Sequence, residues 1–218
     1  MSYRAPINDI LVALDHGAGF AAAVTAGHLG AYDSSLTAAV LEEAGRFAGD
    51  VLAPLNRPGD QNGITLDNGK VTTAAGWADA YRRWREAGWN AVSGPEAWGG
   101  QGLPLAVNAA CTEIWSAANM AFGLCPLLTL SAIEALEAHG SDTLKTTYLE
   151  KLVSGEWTGT MLLTEPQAGS DVGALRARAE RAADGSYRLK GSKIFITYGE
   201  HDMTDNIVHF ILARLPDA

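Results

Sequence analysis

Up to about residue 155, apolar side chains recur every three or four positions. Beyond it the period moves towards two, the spacing of a strand. Residues 7–15 carry Ile7, Ile10, Leu11 and Leu14 on one helical stripe, ended by Gly17 and Gly19. Residues 18–33 are rich in Ala and Gly and show neither period. Ser34 or Ser35 is placed to cap a helix carrying Leu36, Val40, Leu41, Ala44, Phe47 and Val51, which Pro54 and Pro58 should close. Turn residues fill 59–75, where Asp67-Asn68-Gly69-Lys70 reads as a hairpin tip. A helix over 77–86 gathers Trp77, Tyr81 and Trp84 on one side. Three more helices are predicted. One spans 104–117, with Val107, Cys111 and Trp115. One spans 127–139, closed by Gly140. One spans 143–153, capped by Ser141 or Asp142.

The second part reads as strands. A β-prone run over 158–164 must stop at Pro166, which has no N–H for a ladder. Asp184-Gly185 between 177–182 and 187–189 predicts a hairpin, and Lys190-Gly191 turns the chain again. A strand over 193–197 would put Ile194 and Ile196 on one face and Phe195 and Thr197 on the other. Helices first and strands last predict an α+β chain, with a helical domain over 1–157 and a partial, small antiparallel β domain over 158–218. Internal repeats and low-complexity linkers are absent from the sequence.

Composition narrows the function classes. Of 218 residues, 47% are hydrophobic and 19% charged, enough apolar matter for a sizeable core. Sixteen basic residues against 25 acidic ones give a net charge of −9, which argues against a nucleic-acid surface. Cys111 and Cys125 are too few for a disulfide framework, and Cys111 lies in an apolar helical stretch as a small buried hydrophobe. The N-terminal residues have neither the build of a signal peptide nor the Arg- and Ser-rich look of a transit peptide. The apolar runs look interrupted before a bilayer span's length. A cytoplasmic enzyme without membrane or nucleic-acid partners is expected. His16, His28, His139, His201 and His209 show no zinc-site spacing, and His201 is expected to be a solvated loop residue. Ser170 has no nucleophile-elbow context, and Gly99-Gly100-Gln101-Gly102 lacks the βαβ surroundings of a dinucleotide fingerprint.

The most informative segment is Met161-Leu162-Leu163-Thr164-Glu165-Pro166-Gln167-Ala168-Gly169-Ser170-Asp171. After the strand, Gly169, Ser170 and Asp171 offer backbone N–H groups, a hydroxyl and a carboxylate, suited to a phosphate or a polar ring edge. Taken alone, the same residues describe a strand-ending turn. About twenty residues on stands Lys190-Gly191-Ser192-Lys193-Ile194-Phe195-Ile196-Thr197, and well before it Pro95-Glu96-Ala97-Trp98-Gly99-Gly100-Gln101-Gly102. In this order the three segments resemble the acyl-CoA dehydrogenases, flavoenzymes that desaturate acyl thioesters. The start, Tyr3-Arg4-Ala5-Pro6-Ile7-Asn8-Asp9-Ile10, is similar to the N-terminal extension of a subgroup that includes methylthiopropionyl-CoA dehydrogenase-like enzymes.

The resemblance implies FAD as cofactor, an acyl-CoA substrate and an electron-transfer flavoprotein or similar acceptor. It also implies a homo-oligomer at full length. Desaturation needs a base for the α-proton and a hydride acceptor, which no side chain can be. By resemblance, Thr164 bonds the polar edge of the flavin ring, and Met161 and Leu163 contact the ring. Gly169 and Ser170 lie near the pyrophosphate and the acyl-CoA. Phe195 covers the ring, where many relatives carry tryptophan, and Thr197 contacts flavin. The 95–102 loop is placed near the acyl cleft, within reach of Trp98. Glu165 is implied to be structural, and Asp171 to cap or anchor its loop. The family's catalytic base lies on a C-terminal helical bundle that matches nothing here, so no catalytic residue is assigned and the chain reads as an N-terminal portion. The rival readings are an oxidase using oxygen, a nucleic-acid-associated relative and a non-enzymatic module.

Overall fold

The computed structural model describes residues 3–217. Helices fill the first part: α1 (Ile7–Val12), α2 (Phe20–Thr25), α3 (Ser35–Phe47), α4 (Ala53–Asn62), α5 (Trp77–Glu86), α6 (Leu105–His139) and α7 (Asp142–Val153). A hairpin, β1 (Thr65–Asp67) with β2 (Lys70–Thr72), interrupts them. Its tip has Asn68 at φ 48° and Gly69 at φ 81°, the left-handed pair a two-residue hairpin turn needs.

Two helix boundaries differ from the sequence reading. Pro54 and Pro58 do not close the helix begun at Ser35. A π turn, Ala48–Leu52, widens the ladder so that the Ala53 N–H reaches the Ala48 carbonyl, and the helix runs on to Asn62 with Pro58 inside it. Pro54 thereby falls in the first turn of α4, where a missing N–H costs little. The helices predicted over 104–117 and 127–139 belong to one 35-residue helix, α6, broken at Asn119 (φ −159°, ψ 88°). Asn119 is fully buried and serves both sides: its Oδ1 accepts from the Phe122 N–H at 3.1 Å, capping the helix after the break, and its Nδ2 donates to the Leu52 carbonyl of the π turn at 3.2 Å. By length and composition α6 would suffice to cross a membrane, which corrects the expectation that the apolar runs stop short. Here it is the core helix, packed on α3, α4, α7 and the first strand that follows.

The core shows why. The apolar side of α5 buries Trp77, Tyr81 and Trp84, and Trp84 meets Trp115 of α6 edge to face with ring centroids 4.4 Å apart. Burying such side chains is worth roughly 1.5–3 kcal/mol each. The opposite side of α5 is charged, with Arg82 paired to Asp79 and Glu86. Cys111 is buried, and burial pushes its thiol up to about 12, as its small-hydrophobe role requires. A second cluster, Ile133, Leu136, Leu149, Leu152 and Val153, lies under Trp98 and Trp157. Trp98 is thus a packing anchor within the 95–102 loop. That loop folds tightly on itself, and a Cβ on Gly100 would meet the Gly94 carbonyl oxygen at 2.0 Å.

The strands follow: β3 (Thr158–Leu162), β4 (Arg178–Arg181), β5 (Tyr187–Lys190) and β6 (Ile207–Ile211). The β4–β5 hairpin is antiparallel, as Asp184-Gly185 predicts. β3 and β6, however, pair in parallel, from Thr158 opposite Ile207 to Leu162 opposite Ile211. This corrects the wholly antiparallel expectation. The chain leaves β3, makes the β4–β5 excursion, and returns in the same direction on the near side of α6. Gly159 allows the close approach, since a Cβ there would stand 2.5 Å from that of Ala132.

Candidate flavin-binding site

β3 delivers the conspicuous loop. Thr158, Gly159 and Thr160 are buried, and the strand ends at Leu162, before Pro166. Glu165 is 3% exposed, and its carboxylate is surrounded by donors. It takes Lys193 Nζ at 2.8 Å, the backbone N–H groups of Arg176 at 2.7 Å and Ala177 at 3.0 Å, and Gln167 Nε2 at 2.7 Å. The Lys193 ammonium, then these N–H groups, hold its carboxyl down to about 2. A carboxylate so engaged is a structural anchor, since a proton acceptor needs a free lone pair and a higher pKa.

Lys193 has a second task. The same ammonium donates to the Leu163 carbonyl at 2.9 Å, and the Ile194 N–H donates to the Thr164 carbonyl at 3.0 Å. From β3 the Thr160 hydroxyl donates to the Thr197 carbonyl at 2.7 Å. Two segments thirty residues apart in sequence are thus stapled side by side. The expectation of a strand over 193–197 is corrected, because these bonds run to the end of β3 and build no ladder. Phe195 has φ 57°, a left-handed kink that breaks the alternation. Phe195 and Thr197 therefore do not share a strand face. Phe195 borders a cleft with Leu162 and Ile211, and Thr197 the adjoining one with Trp77 and Met120.

The seven residues singled out from sequence divide. Thr164 and Thr197 lie on the two stapled segments, and Phe195 falls between the bonds that join them. Gly169 stands beside Thr164, with an added Cβ 3.9 Å from Thr164 Cγ2, and Ser170 follows it on the surface. Met161 shares strand parity with Gly159, which faces α6, and Leu163 follows the strand's end with its carbonyl taking the Lys193 ammonium. Phe195 is 88% exposed. The hydroxyls of Thr164 and Thr197 and the N–H groups of Gly169 and Ser170 have no hydrogen-bond partner among the described residues. Asp171 opens a short 3-10 turn, Val172–Ala174, its carbonyl taking the Ala174 N–H.

Several residues carry no local sequence signal yet organise the site. Lys193 is tied to Glu165 across 28 positions. Tyr198 and Trp77 link the turn to the helices. His201 is 4% exposed, which corrects its reading as a solvated residue. Its Nδ1 accepts from the Met203 N–H at 3.2 Å, so the proton sits on Nε2, which donates to the Thr158 hydroxyl at 2.9 Å. Burial lowers its pKa. Its neighbour Asp202 holds the Thr73 N–H and hydroxyl, fastening the β1–β2 hairpin to this loop.

Comparison with known proteins gives the chain a family. The family described as Acyl-CoA dehydrogenase, N-terminal domain, matches residues 34–156. The chain is 48% identical over 218 residues to 3-methylmercaptopropionyl-CoA dehydrogenase of Ruegeria pomeroyi, covering all of this chain and 37% of that protein. Its fold matches that of butyryl-CoA dehydrogenase from Megasphaera elsdenii with a TM-score of 0.70 at 25% identity, over 84% of this chain and 45% of the other. It matches the FAD complex of PigA with a TM-score of 0.61 at 27% identity, over 76% and 40% of the two chains. The chain spans less than half the length of each of these proteins. With the family match covering more than half of its residues, the chain belongs to the acyl-CoA dehydrogenase family.

Proposed function

We propose that these residues form one wall of the FAD site in an enzyme that desaturates an acyl-CoA to its trans-2-enoyl-CoA. The observation that carries this reading is the staple. Lys193, Ile194 and Thr160 tie the 193–197 segment to the end of β3, so that Thr164 and Thr197 lie on two joined segments, with the exposed Phe195 ring between the bonds and two hydroxyls without partners among the described residues. Bound FAD supplies the hydride acceptor that side chains lack. The protein's share is to bind and orient. The Thr164 and Thr197 hydroxyls offer hydrogen bonds to the ring's polar edge, and Phe195 shields a ring face with an apolar surface. Gly169 and Ser170 present N–H groups to phosphate oxygens. Met161 and Leu163, at the end of β3, contact the ring. The base that takes the α-proton is assigned to none of the 218 residues. Residues 1–157 act as the helical domain and 158–218 as part of the β domain. The relatives are named as dehydrogenases, which favours a flavoprotein electron acceptor over oxygen.

In the full-length enzyme, Thr164→Ala and Thr197→Ala should each weaken FAD binding by roughly 0.5–1.5 kcal/mol, the worth of one neutral hydrogen bond. Titration of the apoenzyme with FAD measures it. Unchanged dissociation constants in both variants would remove these residues from the site. Turnover with and without oxygen separates dehydrogenase from oxidase.

A further inference from the structure

Tyr198 follows Thr197 and leaves the turn to reach into the helical half. Its hydroxyl donates to the Ala121 carbonyl at 2.7 Å and accepts from the Trp77 indole N–H at 3.0 Å. Its ring stands edge-on to His201, with centroids 5.8 Å apart. Burial pushes the phenol's pKa up, so the hydroxyl keeps its proton and stays a donor to Ala121.

The backbone gives this anchor its meaning. Tyr198 has φ 51° and Phe195 φ 57°, both in the left-handed region. Bulky side chains rarely adopt it, and such a conformation persists only where the surroundings impose it. The turn's entry is imposed by Lys193 and Ile194 on the end of β3, and its middle by the Thr160 hydroxyl on the Thr197 carbonyl. Its exit is held by the phenol. Both partners of that phenol are themselves held in place. Trp77 is 5% exposed, and its ring fills the space over Gly59, where a Cβ would come within 2.4 Å of Cη2. Ala121 lies in the turn of α6 that Asn119 caps through the Phe122 N–H.

We propose that Tyr198 is a positioning residue for the flavin site. Clamped between Trp77 and Ala121, its phenol keeps the 194–199 turn in its left-handed form and so sets where the Phe195 ring and the Thr197 hydroxyl stand. The break in α6 at Asn119 is then part of the site's architecture, because it presents the carbonyl that Tyr198 grips. This inference rests on the flavin reading given above.

The test uses the full-length enzyme. Tyr198→Phe keeps the ring and removes both hydrogen bonds. Trp77→Phe keeps an aromatic ring and removes one, and it decides the matter if the first variant does not fold. The expected result is a roughly 2- to 12-fold rise in the FAD dissociation constant, the range that displacing the Thr197 hydroxyl from its one neutral hydrogen bond to flavin gives. A changed shape of the visible flavin band and faster amide exchange confined to residues 194–199 should accompany it. A residue that only stabilised the fold would lower the melting temperature and leave the flavin band as it was. That outcome, or an FAD affinity and a band identical to wild type, overturns the proposal. If the wild-type enzyme takes up no FAD, the flavin reading itself has failed, and Tyr198's assigned role falls with it.

Discussion

Glu165 and His201 are both buried and both titratable, and they do their work in opposite charge states. Glu165 is ionised. Its folded pKa of about 2 lies below the ordinary value of 4.5, with the Lys193 ammonium as the leading cause. Its contribution is therefore complete above the ordinary carboxylate range and is lost as the pH falls towards about 2. His201 is neutral. Burial lowers its pKa below 6.5, so its contribution is present above that value and declines as the pH drops beneath it. Protonation would also set a second N–H against the Met203 N–H that Nδ1 now accepts. Two steps should appear in amide exchange near β3 as the solution is acidified. The first, below pH 6.5, should vanish in His201→Gln, and the second, below pH 4.5, in Glu165→Gln. A single acid transition unaltered by either substitution would contradict this assignment.

Among the elements, α6 shows how a local defect is made useful. Its 35 residues break at Asn119, whose side chain caps the Phe122 N–H after the break and ties α6 to the Leu52 carbonyl of the Ala48–Leu52 π turn. Asn119→Ala should destabilise the protein by about 1–3 kcal/mol. It removes an internal cap and leaves the Leu52 carbonyl buried without that donor. Chemical denaturation measures the loss, and Asn119→Asp should recover the cap towards Phe122 while leaving Leu52 unserved. Pro126, inside the same helix, removes the donor that the Phe122 carbonyl would otherwise receive.

At the scale of the whole molecule, apolar surface is distributed unevenly. Leu189 is 50% exposed, Phe195 88% and Leu212 42%, all near the strands, and Ile64 at 65% borders the same cleft. Grouped apolar exposure of this kind marks a surface that is covered in the functional state. The 218-residue chain by itself should therefore associate as its concentration rises. Leu189→Lys combined with Phe195→Ser should shift it towards monomer in sedimentation experiments. The same chain should show no desaturation of acyl-CoA, because general-base catalysis alone is worth on the order of 10²–10⁴-fold and no residue here is assigned to it. Enoyl-CoA formation by this chain alone would refute that expectation.

Much of this protein is local, and local features are legible in order along the chain. The apolar stripe of α5, the Ser141 cap of α7, the two hairpin tips and the end of β3 before Pro166 each follow from a handful of neighbouring residues. The family resemblance rests on the same short-range text. What the tertiary structure decided is everything that depends on partners far away in sequence. Pro54 and Pro58 read as stops, yet a π turn carries the helix past them. The residues 193–197 alternate like a strand, yet Lys193 and Ile194 find better partners at the end of β3, and the left-handed Phe195 ends the alternation. His201 reads as a solvated loop residue, yet Thr158 and Met203 close over it. Periodicity reports what a segment does with its own neighbours. The bonds that build this site join groups tens of residues apart, and only the fold brings them within 3 Å.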